Sequence, residues 1–461
     1  MLRSIQKCYP KGQLVVTRRL YTSKVRDLPV EPRLNYTYLA QNADAVQSNM
    51  QKRNHVLVDA KEIKSLYEKR LAVYNELSRL RSQRNDLSKR TKSEPGRRAE
   101  IISQAQAVKT NIKEKEQELD QLEKELLEQA LKIPNDSHPD TPVGPEEAAR
   151  IIKTVGTPRR DKDLQDHVTI AERLDILDLS QAAIVSGSSF YYLQGYGAFL
   201  ETALVQYALN KAASRGYLAV MTPDIVRKSV AYGCGFQPRT DESSQIYHLT
   251  TEHGNEPAQL CLAGTAEIPL AGKFVGKVLE EQTLPRRLVG YGHAFRAEAG
   301  GRGTETKGLY RVHQFSKVEL FAVTAPAQSE AMLQEFIDLQ EEMYTELGLC
   351  FRVLDMPTEE LGASAYRKFD IEAWLPGRQK WGEISSASNC TDYQARRLSI
   401  RYRPTRIADK NTEFCHTVNA TAIAVPRIIV AILETFQRPD GTVEIPQVLH
   451  KWLPGQPRVL S

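Results

Sequence analysis

"HAFRAEAGGRGTETKGLYRVHQFSKVELF" (residues 293–321) places two alternating apolar–polar segments on either side of a glycine-rich loop. That order predicts two antiparallel strands joined by a long connection. Side chains alternate between the faces of a strand, so Arg296 and Glu298 would share one face, and Phe315, Lys317 and Glu319 one face of the next strand. Val318 and Leu320 then point the other way, toward a core. Such a hairpin presents a guanidinium, carboxylates and an aromatic ring together. Each has a possible task around a nucleotide: a bidentate grip on phosphate, acceptance from an adenine amino group, and stacking on the base. A surface ladder of ion pairs is the plainer reading. The loop "GGRGTETKG" lacks the G-K-[ST] of a phosphate-binding loop and leads into a strand. Its glycines suit a mobile segment closing over a ligand, or a long turn.

Three further clusters place polar groups where apolar ones are expected. "AGTAEIPLAG" (263–272) sets Thr265 and Glu267 among small apolar residues. "WGEISSASNC" (381–390) holds Glu383 and Ser386 three apart, a spacing suited to an oxygen-ligated Mg²⁺ and also to a helix cap. "HTVNATAIAVPRIIVAILETFQ" (416–437) has Asn419 and Thr421 before an apolar helix with Arg427 in its early turns. That arginine is either a salt-bridged or snorkelling side chain or a second phosphate grip.

With 461 residues, two or more domains are expected. A net charge of +5 is mild, so its distribution matters more than its size. The first 26 residues carry seven Lys/Arg and no acid, the composition of a mitochondrial transit peptide or, alternatively, of a disordered basic terminus. No run approaches the roughly 18 apolar residues of a membrane span. The six cysteines are far apart and the nine histidines lack ligand spacing, so neither a disulfide framework nor a zinc site is expected.

From Ile63, the positions Leu66, Val73, Leu77, Leu80 and Leu87 keep a 3-4 spacing, interrupted by Arg70 and Arg84. After "SEPGRR" the spacing resumes through Ile101, Ala105, Val108, Ile112, Leu119, Leu122 and Leu126, with Lys115 as a polar intruder. Each seam needs a partner and the nearest is its neighbour, so an antiparallel helical hairpin is predicted. Residues 79–98, around its tip, hold eight Lys/Arg against two acids, a stripe that suits a phosphate backbone or a solvated coiled-coil surface. "IPNDSHPDTPVGPEE" reads as a linker. Beyond it, strand and helix signals mix without a βαβ period, which indicates an antiparallel α+β domain.

Taken together these blocks resemble class II aminoacyl-tRNA synthetases, and in detail the seryl-tRNA synthetase family. The helix and strand ending at Pro223 are similar to motif 1, "FRAE…HQFSKVELF" to motif 2 and "VNATAIAVPRIIVAILE" to motif 3. "TAEIP", "EISSASNC", "QARRLSIRY" and the closing "DGTVEIPQVLHKWLPG" also resemble family blocks. The resemblance implies an α+β fold: an N-terminal antiparallel coiled-coil arm followed by a catalytic domain built on an antiparallel β-sheet flanked by helices. It divides the chain into a transit peptide (1–26), a tRNA-binding domain (27–133), a linker (134–160) and the catalytic domain (161–461). It implies an ATP-dependent serine–tRNA ligase of the mitochondrial matrix, a homodimer without membrane attachment, acting on L-serine, ATP and tRNA(Ser), with Mg²⁺ and no zinc.

By the same resemblance, Arg296 and Arg427 are the catalytic cations, on the α- and terminal phosphates of ATP, and Glu298 and the backbone around Val312 contact adenine. Phe315 stacks on the base, Glu383 and Ser386 hold Mg²⁺, and Thr265, Glu267, Glu319, Asn419 and Thr421 form the serine pocket. Arg84, Arg90, Arg97 and Arg98 are the expected tRNA contacts. Motif 3 departs from the family's Gly-Ser-Gly run: it reads Ala420, Thr421, Ala422, with Pro426 before the arginine. The added methyl groups bear on the shape of the serine pocket. Two other classes compete: a catalytically silent RNA-binding paralogue, against which Arg296, Glu383 and Arg427 all stand, and an adenylate-forming enzyme serving a carrier protein, against which the arm stands.

Overall fold

The computed structural model describes residues 30–237, 245–249, 259–298, 308–405 and 411–461; the basic segment 1–26 and all but the last glycine of "GGRGTETKG" lie outside the described residues. The N-terminal part is helical: α1 (Tyr36–Gln41), α2 (Ala43–Lys52), α3 (Ala60–Ser93) and α4 (Arg98–Ala130). Asp59 caps α3 by accepting from the Lys61 amide, and Pro95 opens the single tight turn between the long helices. Each long helix extends about 50 Å at 1.5 Å per residue.

The seam closes as the heptads require. Val73, Leu77, Leu80 and Leu87 are buried with Ile101, Val108 and Ile112. Two of its polar interruptions pair across the hairpin, Arg70 with Glu123 at 2.8 Å and Lys115 with Glu76 at 3.0 Å. Those pairs form only when the two helices are in register, so they oppose slippage of the hairpin. At its foot, Val46 and Met50 of α2 pack on Ile63 and Leu126. Arg53 locks this foot to the second domain, donating to the carbonyls of Ala365 at 2.9 Å and Gly362 at 2.6 Å.

The second domain is built on eight strands: β1 (Arg150–Val155), β2 (Leu218–Met221), β3 (Arg286–Phe295), β4 (Gln314–Thr324), β5 (Phe351–Asp355), β6 (Arg367–Leu375), β7 (Lys380–Asn389) and β8 (His416–Ala424). Their order is β1-β5-β6-β7-β8-β4-β3-β2. Two features differ from the sequence reading. The segment 134–160, read as a linker, contains edge strand β1, paired antiparallel to β5. Its "RIIKTV" has one free edge and mostly exposed side chains, so the alternating burial that signals a strand is missing. The other edge pair, β2 with β3, is parallel. The long excursion between Met221 and Arg286 supplies the crossover that parallel pairing requires.

One face of the sheet is closed by α5 (Tyr196–Ser214), α6 (Ser329–Glu346) and α8 (Val425–Thr435), which follows the short α7 (Tyr393–Leu398) in the chain. Val318, Leu320 and Ala420 of the strands meet Leu204, Phe336, Tyr344 and Ile428 of these helices in one apolar core. A second core, with Leu270, Leu288, Phe321 and Leu398, covers part of the opposite face. The remainder of that face is open, and the polar clusters lie there.

Candidate active site

β4 carries Phe315, Lys317 and Glu319 on the open face, as alternation requires, while Val318 and Leu320 enter the core. The first strand behaves differently. β3 stops at Phe295, and Arg296 extends the pairing by one more backbone hydrogen bond, its amide donating to the His313 carbonyl at 2.9 Å. Glu298 has φ +47°, a left-handed conformation that redirects the chain, so strand alternation does not place it beside Arg296. Even so, Arg296, Glu298, Tyr310, Arg311, Val312, Phe315, Pro426 and Arg427 line one cleft.

Within the cleft the Arg296 guanidinium lies over the Phe315 ring, 5.4 Å from its centroid, and Arg311 pairs with Glu298 at 3.4 Å. Arg427 opens α8, where Pro426 occupies a first-turn position that costs no helix hydrogen bond. Its Nη1 meets the Glu383 carboxylate at 3.1 Å and the Glu383 carbonyl at 2.9 Å, and its Nε donates to the Tyr310 carbonyl at 3.3 Å. Burial opposes ionisation of Glu383, but Arg427, Lys368 and Arg296 outweigh it and hold the carboxyl below its ordinary range. Arg427 is therefore a paired cation, and its pairing partner is an anion of the same site.

Glu383 and Ser386 lie on β7, not at a helix cap. Three residues apart in a regular strand, they would face opposite ways. A bulge at Ile384 corrects this: Glu383 pairs with Glu372, Ser385 with Ile371 and Ser386 with Asp370. Both oxygens thus reach the open face while Ile384 stays in the core. An ionised carboxylate beside a hydroxyl suits a hard divalent cation that takes its remaining ligands from phosphate and water.

On β8, plain alternation shapes the neighbouring pocket, and a bulge at Ala422 shifts only the residues that follow it. Thr421 pairs with Glu319 and Ile423 with Val318, so Asn419 and Thr421 face the pocket while Ala420 and Ala422 join the apolar core. The methyl groups that depart from the family pattern therefore do not enter the pocket. The carbonyls freed by the two bulges are satisfied from behind the sheet. Gln340 of α6 donates to Ser386 O at 3.0 Å and Thr421 O at 2.8 Å, and the Tyr344 hydroxyl donates to Ala422 O at 2.9 Å.

The pocket gathers all five expected residues. Asn419 donates to the Glu267 carboxylate at 3.0 Å, the Glu267 amide donates to the Thr265 hydroxyl at 3.4 Å, and Thr421 lies opposite Glu319. Two contributors escaped the sequence reading. Lys317 pairs with Glu319 at 2.6 Å and donates to the Thr421 hydroxyl at 3.2 Å. Gln394 of α7 donates to Glu267 at 2.5 Å. For Lys317 the signal is its shared face with Phe315 and Glu319; Gln394 opens the "QARRLSIRY" block, but nothing in that block points to Glu267. Burial and the nearby Glu319 push the Glu267 carboxyl up to about 7, and burial raises Glu319 as well. Among the described residues, no group of three or more His, Cys, Asp or Glu side chains is arranged to hold a metal ion.

At the arm tip, Arg84, Arg97 and Arg98 are exposed and Arg90 is half-buried. Arg90 is paired with Glu94 at 2.9 Å and Arg97 with Glu100 at 3.0 Å, so the stripe is partly neutralised by its own helices. This cluster stands apart from the cleft, along the hairpin.

Comparison with known proteins agrees with this architecture. Residues 34–137 match the seryl-tRNA synthetase N-terminal domain, and residues 248–436 match the tRNA synthetase class II core domain (G, H, P, S and T). A serine–tRNA ligase of Treponema denticola is 43% identical over 422 residues, covering 90% of this chain and 97% of the relative. A mitochondrial serine–tRNA ligase of Schizosaccharomyces pombe is 43% identical over 425 residues, covering 90% and 87%. The solved seryl-tRNA synthetase of Pyrococcus horikoshii, complexed with ATP, superposes with a TM-score of 0.85 at 34% identity, covering 93% of this chain and 99% of that one. With the two-domain architecture, the cleft and the pocket in place, the chain belongs to the seryl-tRNA synthetase family, ATP-dependent serine–tRNA ligases of class II.

Proposed function

We propose that this chain is a mitochondrial-matrix serine–tRNA ligase that makes seryl-adenylate in the described cleft and passes the seryl group to the 3′ end of tRNA(Ser). The observation that carries the reading is the juxtaposition of the Arg296–Glu298–Phe315–Arg427 cleft with the Thr265–Glu267–Glu319–Asn419–Thr421 pocket. In this reading adenine stacks on Phe315, with Glu298 and the Val312 backbone at its edge. Arg296 grips the α-phosphate and Arg427 the terminal phosphates. The pocket carboxylates receive the serine ammonium.

The chemistry needs no protein base. The serine carboxylate is already ionised; it attacks the α-phosphorus in line, the bond to the bridging oxygen breaks, and pyrophosphate leaves. Positioning and charge compensation by Arg296 and Arg427 are what the chain contributes. Glu383 and Ser386 fit Mg²⁺, which when bound would offset negative charge on the phosphates. In the second step the ribose 3′-hydroxyl attacks the carbonyl of the mixed anhydride and AMP departs. Selectivity follows from the same pocket: alanine would leave buried polar groups unpaired, and threonine would need room for a methyl group.

Several observations support the wider reading. The stripe around Arg84, Arg90, Arg97 and Arg98 suits recognition of an RNA by shape and backbone. Exposed Tyr192, Tyr196, Phe199, Leu218 and Met221 form an apolar surface on and beside edge strand β2, supporting a homodimer through this edge. The acid-free segment 1–26 and the mitochondrial relative support import, although bacterial relatives are as similar. Cleavage after import would leave a tRNA-binding domain (27–133) and a catalytic domain (161–461).

Serine-dependent ATP–pyrophosphate exchange, with alanine, threonine and cysteine as competitors, tests the central claim. Exchange with serine alone, followed by charging of tRNA(Ser), is the expected result; a folded chain without exchange would overturn it. Fusion of residues 1–26 to a fluorescent reporter tests import, and a cytosolic reporter would remove the mitochondrial assignment.

A further inference from the structure

Beneath the cleft lies a pair of polar side chains that the adenylation chemistry does not use. His167 and Glu434 are both fully buried, with His167 Nδ1 3.1 Å from Glu434 Oε1. The Leu309 amide donates to His167 Nε2 at 3.2 Å. A nitrogen that accepts there carries no proton, so Nδ1 bears the proton and donates it to Glu434. The tautomer is thereby set by the two partners.

The contact governs where the glycine-rich connection re-enters the site. Gly308 has φ +73°, and a Cβ at that position would lie 2.2 Å from His167 Nε2, so the backbone at this glycine passes close against the imidazole. Two residues on, Tyr310 is held at several points. Its carbonyl accepts from Arg427, its hydroxyl donates to Glu383 O at 3.3 Å, and its ring has Arg427 at 4.9 Å and Arg378 at 5.1 Å from its centroid.

Glu434 also fixes Arg378. Its Oε2 accepts from the amides of Gly377 at 2.9 Å and Arg378 at 3.2 Å, and its Oε1 lies 3.8 Å from Arg378 Nε. Glu434 stands seven residues, two turns, beyond Arg427 on α8, so the two share a helix face. One carboxylate thus holds His167 and Arg378, one of the two cations that flank Tyr310, on the helix that carries the other, Arg427. We infer that His167 and Glu434 are positioning residues for the ATP cleft: by holding the Gly308–Tyr310 backbone they set Tyr310, and through it the Arg427 fork. This rests on the reading of that cleft as the ATP site. The serine pocket, built from β4, β8, α7 and the segment that carries Thr265 and Glu267, makes none of these contacts.

Two substitutions separate the arms of the pair. His167→Asn retains a donor near Nδ1 but no acceptor for the Leu309 amide; His167→Gln places an amide oxygen near Nε2 and keeps that acceptor. Pyrophosphate exchange by the full chain is measured with ATP and serine varied in turn, beside thermal melting. A buried amide left unpaired is expected to raise the KM for ATP about tenfold in His167→Asn, with serine KM changed less than about twofold. His167→Gln should stay within about threefold of the parent. Should His167→Asn fail to fold, Gly308→Ala, which crowds the same contact from the loop side, carries the test and must show the same ATP-selective defect. Equal KM values for ATP in parent and variants, with only melting lowered, would reduce the pair to a structural role and overturn the inference. Loss of serine-dependent exchange in the parent itself would instead overturn the ATP-site reading.

Discussion

Glu267 is 6% exposed, lies near a second buried carboxylate, Glu319, and has its carboxyl pushed up to about 7 from an ordinary 4.5. The native state keeps this proton until about pH 7, whereas the unfolded chain releases it near pH 4.5. Between those values the native state binds more protons, so stability falls as pH rises. At 1.36 kcal/mol per pH unit, the shift amounts to about 3 kcal/mol of lost stability by pH 8. Glu267→Gln removes the charge but keeps an oxygen to accept from Asn419 and Gln394. Urea unfolding of parent and variant at pH 5 and pH 8.5 isolates the effect of Glu267 and the carboxylate coupled to it, Glu319, because titrating groups remote from them cancel in the difference. The variant should gain on the parent by up to about 3 kcal/mol between the two pH values. Near pH 5 the two should differ by about 1 kcal/mol or less, since both carry a neutral group there. A difference that does not change with pH would refute the assignment of a buried, desolvated carboxyl to this position. The stability gain would come with loss of serine activation if the carboxylate faces the substrate ammonium.

Arg427→Ala should lower pyrophosphate exchange by about 10²–10³-fold, the usual cost of removing one preorganised transition-state partner, with ATP rather than serine kinetics affected first. Neutralising Arg90, Arg97 and Arg98 together should weaken tRNA charging and leave exchange intact; equal loss of both would contradict a division of labour between arm and cleft. Gln340→Leu should destabilise the chain by about 1–3 kcal/mol in urea unfolding, because the Ser386 carbonyl loses its side-chain donor while the Thr421 carbonyl keeps only the Ser385 hydroxyl. If the proposed homodimer forms through β2, Leu218→Asp with Met221→Asp should leave a monomer by light scattering, since a charge on an apolar edge opposes its burial against a second copy; a parent that is already monomeric would refute the proposal.

Much of the fold is legible in the sequence. The helical hairpin followed from a heptad seam and a Pro-Gly break, both local properties. Phe315, Lys317 and Glu319 share a face because a strand alternates with a period of two, and any core behind Val318 and Leu320 sends them outward. Elsewhere a local rule met a non-local one. Edge strand β1 was read as linker because a strand with little buried surface carries no alternating pattern. Arg296 and Glu298 were expected to align by alternation, but β3 ends first and a left-handed residue redirects the chain. Glu383 and Ser386 have a spacing that a regular strand would split between faces, whereas Ala420 and Ala422, whose methyl groups bear on the shape of the serine pocket, turn into the core by alternation alone. The first is decided by a bulge at Ile384, and the carbonyls of Ser386, Thr421 and Ala422 are satisfied by Gln340 and Tyr344, side chains on a helix far away in the chain. The residue types for adenylate chemistry were thus written in short motifs, which the sequence determines alone. Which face each residue presents depends on where the ladder gains an extra residue and what satisfies the carbonyls left over, and that balance exists only once α6 is packed behind the sheet.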